Sequence, residues 1–166
     1  RALATELETL GHGDLADPIF KALDKRFTIV NVKNADCLVI ANYGKILSKD
    51  EITQPKFGAV NIHPSLLPKY RGPTPVQTAI KNGDSTSGYT IFKLDEQIDH
   101  GGIIYQEKMT IAKDMTANDF ISAVASRCAE ILPDILIEYI GSKIVPIPQD
   151  DSQATNTEKI STRIIL

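Results

Sequence analysis

The side chains that could do chemistry are gathered in two stretches. The first reads Asn61-Ile62-His63-Pro64-Ser65-Leu66-Leu67-Pro68-Lys69-Tyr70-Arg71-Gly72 and follows the apolar run Phe57-Gly58-Ala59-Val60. That run reads as a short buried strand, ending near Ile62 because Pro64 cannot donate to a ladder. Asn61 and His63 are two apart, so on an extended strand they point to the same face. An amide and an imidazole then project together at a strand end, where open α/β sheets bind ligands. Prolines at 64, 68, 73 and 75 stiffen the loop beyond, and Gly72 lets backbone come close. The plainer reading is a proline-rich loop with a satisfied histidine. The second stretch, Leu94-Asp95-Glu96-Gln97-Ile98-Asp99-His100-Gly101-Gly102, lies past another apolar strand and sets Asp99 36 residues after His63.

Asn-x-His-x-Ser-Leu-Leu-Pro, followed at that spacing by Asp-x-Gly, resembles the folate-dependent formyltransferase family. Its members move a formyl group from 10-formyltetrahydrofolate to an amine. Two flanking motifs look most like the branch that formylates initiator methionyl-tRNA: Ala41-Asn42-Tyr43-Gly44-Lys45-Ile46-Leu47, and Gln149-Asp150-Asp151-Ser152-Gln153-Ala154-Thr155 with Lys159-Ile160 after it. The resemblance covers roughly residues 36–166. It implies a Rossmann-like α/β domain with a mostly parallel sheet flanked by helices. It makes Asn61, His63 and Asp99 the catalytic trio. It places Ile40, Ala41, Asn42, Tyr43, Gly44, Ile46 and Leu47 around the pteridine, with Glu96, Gln97 and Ile98 closing that pocket through backbone contacts. Ser65, Leu66, Leu67 and Pro68 join the folate-binding set. Packing is the competing reading for Tyr43 and Ile46.

Formyl transfer to an amine passes through a tetrahedral intermediate bearing an oxyanion, which needs donors fixed in advance. Asn61 supplies one and His63 another. The amine must lose a proton and the departing folate nitrogen must gain one, which suits a histidine titrating near neutrality. Asp99 would raise that histidine's proton affinity, fix its tautomer or hold a proton-carrying water. Ser65 has no base of its own and reads as a turn or hydrogen-bonding residue. His63, Asp99 and His100 are also zinc-ligand types. But His100 adjoins Asp99, no Cys or Glu sits at ligand spacing, and Asn61 would be unexplained, so no metal is expected. Arg71 reads equally as a contact for an anionic substrate or as a solvated cation. With Lys69 and Tyr70 it makes a basic patch too small to establish tRNA binding.

Strands alternating with helices must position these groups. Residues 1–10 read as a helix, with Ala2, Leu3, Leu7 and Leu10 on one face, ended by Gly11-His12-Gly13, where His12 is a loop residue. Asp17-Pro18 opens a helix to about Lys25, and residues 27–32 favour a strand. Cys37-Leu38-Val39-Ile40-Ala41 is apolar without alternation, as in a central parallel strand covered on both faces. Ser48 and Glu51 form a capping box. A helix is expected over 75–81, strands over 88–94 and 103–111, a long helix from the cap Thr116 to about Ile140 with a kink at Pro133, and an edge segment over 143–147.

At 166 residues and a net charge of −3, the chain fits one catalytic domain over 1–147, with 148–166 leading towards a further domain. The charge gives no general case for nucleic-acid binding, so the partner tRNA would be held largely elsewhere in the full-length protein. No stretch approaches the ~20 apolar residues of a membrane span. No apolar signal core is present, and Cys37 and Cys128 read as buried free thiols, so a cytoplasmic setting is expected. No Gly-x-Gly-x-x-Gly supports a dinucleotide site. The family opens with a strand, a helix and a strand ahead of this region, and the tRNA branch adds a β-barrel after it. Both are expected to be missing from this chain, which starts with Arg1. A sheet lacking a central strand would expose apolar edges and favour a dimer. Rival readings are a formyltransferase for another acceptor (glycinamide ribonucleotide, an amino sugar or water) and an inactive folate-binding fragment.

Overall fold

The computed structural model describes residues 6–11, 13–30 and 35–159. His12 and the last two residues of the strand expected over 27–32 lie outside them, as do residues 1–5 and 160–166. Among the described residues the strands form one six-stranded sheet in the order β2-β1-β3-β4-β5-β6. They are β1 (Glu6–Leu10), β2 (Thr28–Ile29), β3 (Cys37–Ala41), β4 (Ala59–His63), β5 (Thr86–Lys93) and β6 (Ile103–Thr110). β1 to β4 pair parallel, β5 runs antiparallel to β4, and β6 returns antiparallel to β5. The sheet is therefore mixed, with β5 the reversed strand.

The helix expected over 1–10 is corrected where the structure describes it: Glu6–Leu10 is a strand. Glu6-Leu7-Glu8 alternates polar and apolar, which serves a strand, and β2 and β3 pair with it on both sides. β1 thus fills an interior place in the sheet, and the exposed-edge argument for a dimer loses its premise.

The helices are α1 (Ala16–Leu23), α2 (Lys49–Thr53), α3 (Pro75–Lys81) and α4 (Ala117–Ile140). Proline at the first position of α3 costs no hydrogen bond there. Capping boxes start α2 at Ser48 and α4 at Thr116, and α4 continues through Pro133. The expected edge segment at 143–147 reduces to one bridge, Ile103 with Ile147.

Strand alternation divides the apolar residues between two faces. Cys37, Val39, Ala41, Val60 and Ile62 turn to a large core with Ile19 and Leu23 of α1, Val76 and Ala79 of α3, and Phe120, Val124, Leu132 and Leu136 of α4. Leu38, Ile40 and Ala59 turn the other way, to a small cluster with Ile52 of α2, flanked by Tyr43, Leu47 and Leu94. Both cysteines are free and buried, and burial pushes the Cys37 thiol up to about 12. Among the described residues no helix is long and apolar enough to cross a membrane.

Candidate active site

The sparsely covered face of the sheet carries a cavity of about 150 Å³ at the carboxyl ends of β3 and β4. Its lining includes Ile40 from β3, Asn61 from β4, Ile52 from α2, and the segments 45–47 and 94–99. Parallel strands end here, and the chain reverses from β4 into β5, so the hollow forms where the loops diverge. Asn61 and His63 leave β4 on this face, as their spacing requires. Asn61 lines the cavity wall, and no hydrogen bond to its carboxamide is made among the described residues.

His63 is buried and held from both ring edges. Its Nε2 lies 2.8 Å from the Tyr70 carbonyl oxygen, and its Nδ1 lies 3.5 Å from Asp99 Oδ2. A carbonyl only accepts, so Nε2 carries the hydrogen and donates it to Tyr70. Proton exchange is left to Nδ1, the edge that faces Asp99. The 3.5 Å separation is longer than a direct hydrogen bond. Asp99 Oδ2 accepts the Gly72 backbone N–H at 2.8 Å, which ties the carboxylate to the proline loop.

Both partners of His63 sit on left-handed backbone, Tyr70 at φ 62° and Asp99 at φ 48°. That conformation costs a non-glycine residue about 1–2 kcal/mol, so surrounding bonds must hold it. The Tyr70 hydroxyl donates to Asp84 at 2.8 Å and accepts from the Asn82 amide at 3.0 Å. Around Asp99, the Gln149 amide donates to the carbonyls of Asp99 (2.9 Å) and Gly101 (2.8 Å). Gly101 admits no side chain, since a Cβ there would lie 1.8 Å from the Lys93 carbonyl oxygen.

The remaining expected site residues divide into two groups. Ile40, Ile46, Leu47, Glu96, Gln97 and Ile98 line the cavity with Asn61 and Asp99. Ile46 and Ile98 stand at its mouth, 88% and 64% exposed, so Ile46 is not core packing. Ala41, Asn42, Tyr43 and Gly44 do not line it: Ala41 is in the large core, Tyr43 packs beside the small one, and Asn42 and Gly44 turn the chain with positive φ. Ser65, Leu66, Leu67 and Pro68 lie outside the cavity as well. Ser65 is a turn residue, donating to the Lys69 carbonyl. Leu67 is pinned by its N–H to Thr90 and its carbonyl to Gln106.

Arg71 meets neither expectation. It is 9% exposed, and its guanidinium donates to Gln149 Oε1 at 2.8 and 3.2 Å and to Asp151 Oδ1 at 2.7 Å. His100 bridges Asp95 at 2.6 Å and Asp151 at 3.2 Å, so it turns away from His63. The hydrogen bond it donates to Asp95 raises its pKa, with a smaller push from Asp151. No group of three or more metal-ligating side chains is assembled among the described residues.

Sequence reasoning missed Leu94 and Asp95 in the lining, although both belong to the stretch it had singled out, and Ile52, which carried no signal beyond an apolar position. Residues 149–158 return along the proline loop, bonded to Pro68, Tyr70, Arg71 and Thr74.

The mixed sheet thus sets the Asn61 amide and the Asp99 carboxylate at a hollow by the β3–β4 ends, with the His63 imidazole beside the carboxylate. The Formyl transferase family model matches residues 21–136, and the chain belongs to that family. It is 35% identical over 162 residues to the methionyl-tRNA formyltransferase of Nitratidesulfovibrio vulgaris (Hildenborough strain), covering 97% of this chain and 49% of that protein. With the methionyl-tRNA formyltransferase of Synechococcus sp. (strain JA-3-3Ab) it shares 43% identity over 121 residues, 73% of this chain and 38% of the relative. The chain thus spans less than half the length of these relatives. Among solved structures, the formyltransferase PseJ from Anoxybacillus kamchatkensis, crystallised with tetrahydrofolate and a formamido sugar nucleotide, superposes with a TM-score of 0.75 at 22% identity, over 92% of this chain and 85% of its own. Glycinamide ribonucleotide transformylase 1 from Symbiobacterium toebii gives 0.75 at 16% identity, over 90% and 96%. These likenesses establish the fold.

Proposed function

We propose that this chain carries the chemistry that moves the formyl group of 10-formyltetrahydrofolate onto the amino group of initiator methionyl-tRNA. The observation that carries the reading is that Asn61 and Asp99 line the cavity while His63, outside the lining, faces Asp99 at 3.5 Å. The names of the curated relatives point to the acceptor, and the tetrahydrofolate in the PseJ structure points to the donor. The cavity's about 150 Å³ falls below the ~300 Å³ of a pocket that swallows a whole ligand. That suits the entry of one flat ring system, with the rest of the folate outside. Ile40, Leu47, Ile52 and Leu94 offer its apolar walls, and the backbone of 95–98 offers donors and acceptors for a pterin edge.

In this reading the amine nitrogen attacks the formyl carbon and a C–N bond forms. The carbonyl electrons move to oxygen, where the Asn61 amide donates to the oxyanion. The bond from carbon to the folate nitrogen then breaks. His63, whose Nε2 hydrogen is committed to Tyr70, takes the amine proton on Nδ1 and returns it to the leaving nitrogen. Asp99, 3.5 Å away, faces the nitrogen that carries the proton between those steps.

The test is His63→Ala in the intact protein. Formyl transfer should fall by about 10²–10⁴-fold, the usual share of a general acid–base, while tetrahydrofolate affinity stays within a few-fold of wild type. Unchanged turnover would remove His63 from the chemistry. Formylation of a small amine, but not of methionyl-tRNA, by the wild-type protein would change the acceptor.

A further inference from the structure

The run from Gln149 to Thr155 singled itself out by sequence, and the transfer chemistry makes no use of it. In the fold it touches both structures that hold His63. At its first residue, the Gln149 amide donates to the carbonyls of Asp99 and Gly101, fixing the turn from which the Asp99 carboxylate faces Nδ1. Gln149 is itself oriented by two donations from the buried Arg71. At its last residue, Thr155 Oγ1 accepts the Tyr70 N–H at 2.8 Å. The Thr155 carbonyl accepts the Arg71 N–H at 2.8 Å, and its N–H donates to the Pro68 carbonyl at 3.1 Å. These three bonds flank Tyr70, whose own carbonyl receives the Nε2 hydrogen. Tyr70 and Asp99 are both left-handed, a conformation that lasts only where neighbours over-determine it.

We infer that the segment 149–155 is a brace for His63, with Thr155 and Gln149 acting as positioning residues that set the imidazole's Nε2 edge through Tyr70 and its Nδ1 edge through Asp99. The inference rests on His63 being the proton-transfer group of the proposed reaction. A histidine that must take and return a proton at one nitrogen needs its tautomer fixed and its partner held in line, and small displacements there are costly. The brace is built of neutral amide and hydroxyl contacts at these two points, so it holds geometry without adding charge beside the ring.

Two variants of the intact protein separate the two ends. Gln149→Glu keeps the acceptor oxygens for Arg71 and loses both donations to the Asp99 turn. Thr155→Val keeps the shape and loses the acceptor for Tyr70, and Thr155→Ser restores it. Turnover is expected to fall by up to about 10²-fold in the first two, as for a misplacement of the order of 1 Å. KM for the folate should change little, the pH–rate profile should move, and Thr155→Ser should recover most of the loss. A second readout does not depend on activity: the ring-nitrogen NMR signals of His63. Wild type should show the Nε2–H tautomer alone when neutral, and each variant a tautomer mixture or a displaced titration midpoint. His63 signals and titration that match wild type in both variants would overturn the brace, as would a loss of turnover with an unmoved pH profile. A wild-type protein that transfers no formyl group would bring down the proposed function, and the His63 spectra would still decide whether the brace exists.

Discussion

The two faces of the sheet are made from the same strands and serve opposite ends. On one face α1, α3 and α4 bury a continuous core whose residues are almost wholly hidden, with Ile19, Leu23, Phe120, Leu132 and Leu136 at 0% exposure. On the other, α2 supplies one buried residue, Ile52, and the rest is a small cluster opening into a cavity. β4 shows the division residue by residue. Val60 and Ile62 enter the large core, while of the alternate positions Asn61 lines the cavity and His63 faces Asp99. Rigidity and reactivity are thereby set a strand's thickness apart. The helical face can be closed for stability because the other face is left open for ligand. Polar groups that would be costly in a core sit where loops satisfy them.

The largest expected effect breaks the helical face. Phe120→Ala removes a fully buried ring from α4 and should cost about 3–5 kcal/mol in a denaturant titration. Below the melting temperature, KM for the folate should remain near wild type, since the ring is remote from the cavity. A variant as stable as wild type would mean that the α4 face does not carry the fold.

The converse substitution is Asn61→Ala. It should lower turnover by about 10²–10³-fold, equivalent to roughly 2.7–4 kcal/mol of transition-state stabilisation. Unfolding free energy should change by less than about 1 kcal/mol, because among the described residues no hydrogen bond depends on that carboxamide. Loss of stability comparable to that of Phe120→Ala would show that the open face is structural after all.

The helical face was the more legible in the sequence. β3 and α3 fall where the apolar run and the Pro75 start place them, because local pattern and tertiary environment agree there. β1 was misread because a short acidic and apolar segment satisfies both periods, and only its parallel partners decide between them. On the open face Asn61, His63 and Asp99 were singled out by the family resemblance, and the structure sets Asn61 and Asp99 in the cavity lining with His63 facing Asp99. What holds them was not legible. The bonds from Gln149 to Asp99 and from Thr155 to Tyr70 span 50 and 85 residues, and their donors and acceptors are partly backbone, which no side-chain pattern records. Arg71 was left open for the same reason: its burial is made by Gln149 and Asp151 arriving from the far end of the chain.

The smallest expected effect distinguishes the faces by pH. On the helical face the titratable groups are taken out of range, with burial pushing Cys37 and Tyr139 up to about 12 and Cys128 higher still. The cost of Phe120→Ala should therefore be the same at about pH 5.5 and about pH 8. On the open face His100 has its pKa raised, chiefly by the hydrogen bond it donates to Asp95 and also by Asp151. A pKa raised by folding means that the protonated form stabilises the native state. That contribution is fully present below the unfolded value near ~6.5 and disappears as pH rises through the raised folded one. Asp151 works in the opposite sense. Arg71, and then His100, hold its pKa down, so its contribution is kept until the solution is far more acidic and stays constant across the histidine window. The difference in unfolding free energy between wild type and His100→Asn should thus be larger at about pH 5.5 than at about pH 8. The His100 ring is 26% exposed, so the change should stay below about 1 kcal/mol, as for solvent-screened pairs. A difference that is flat with pH, or that grows towards alkaline pH, would show that His100 does not clamp the Asp95–Asp151 side of the loop through its charge.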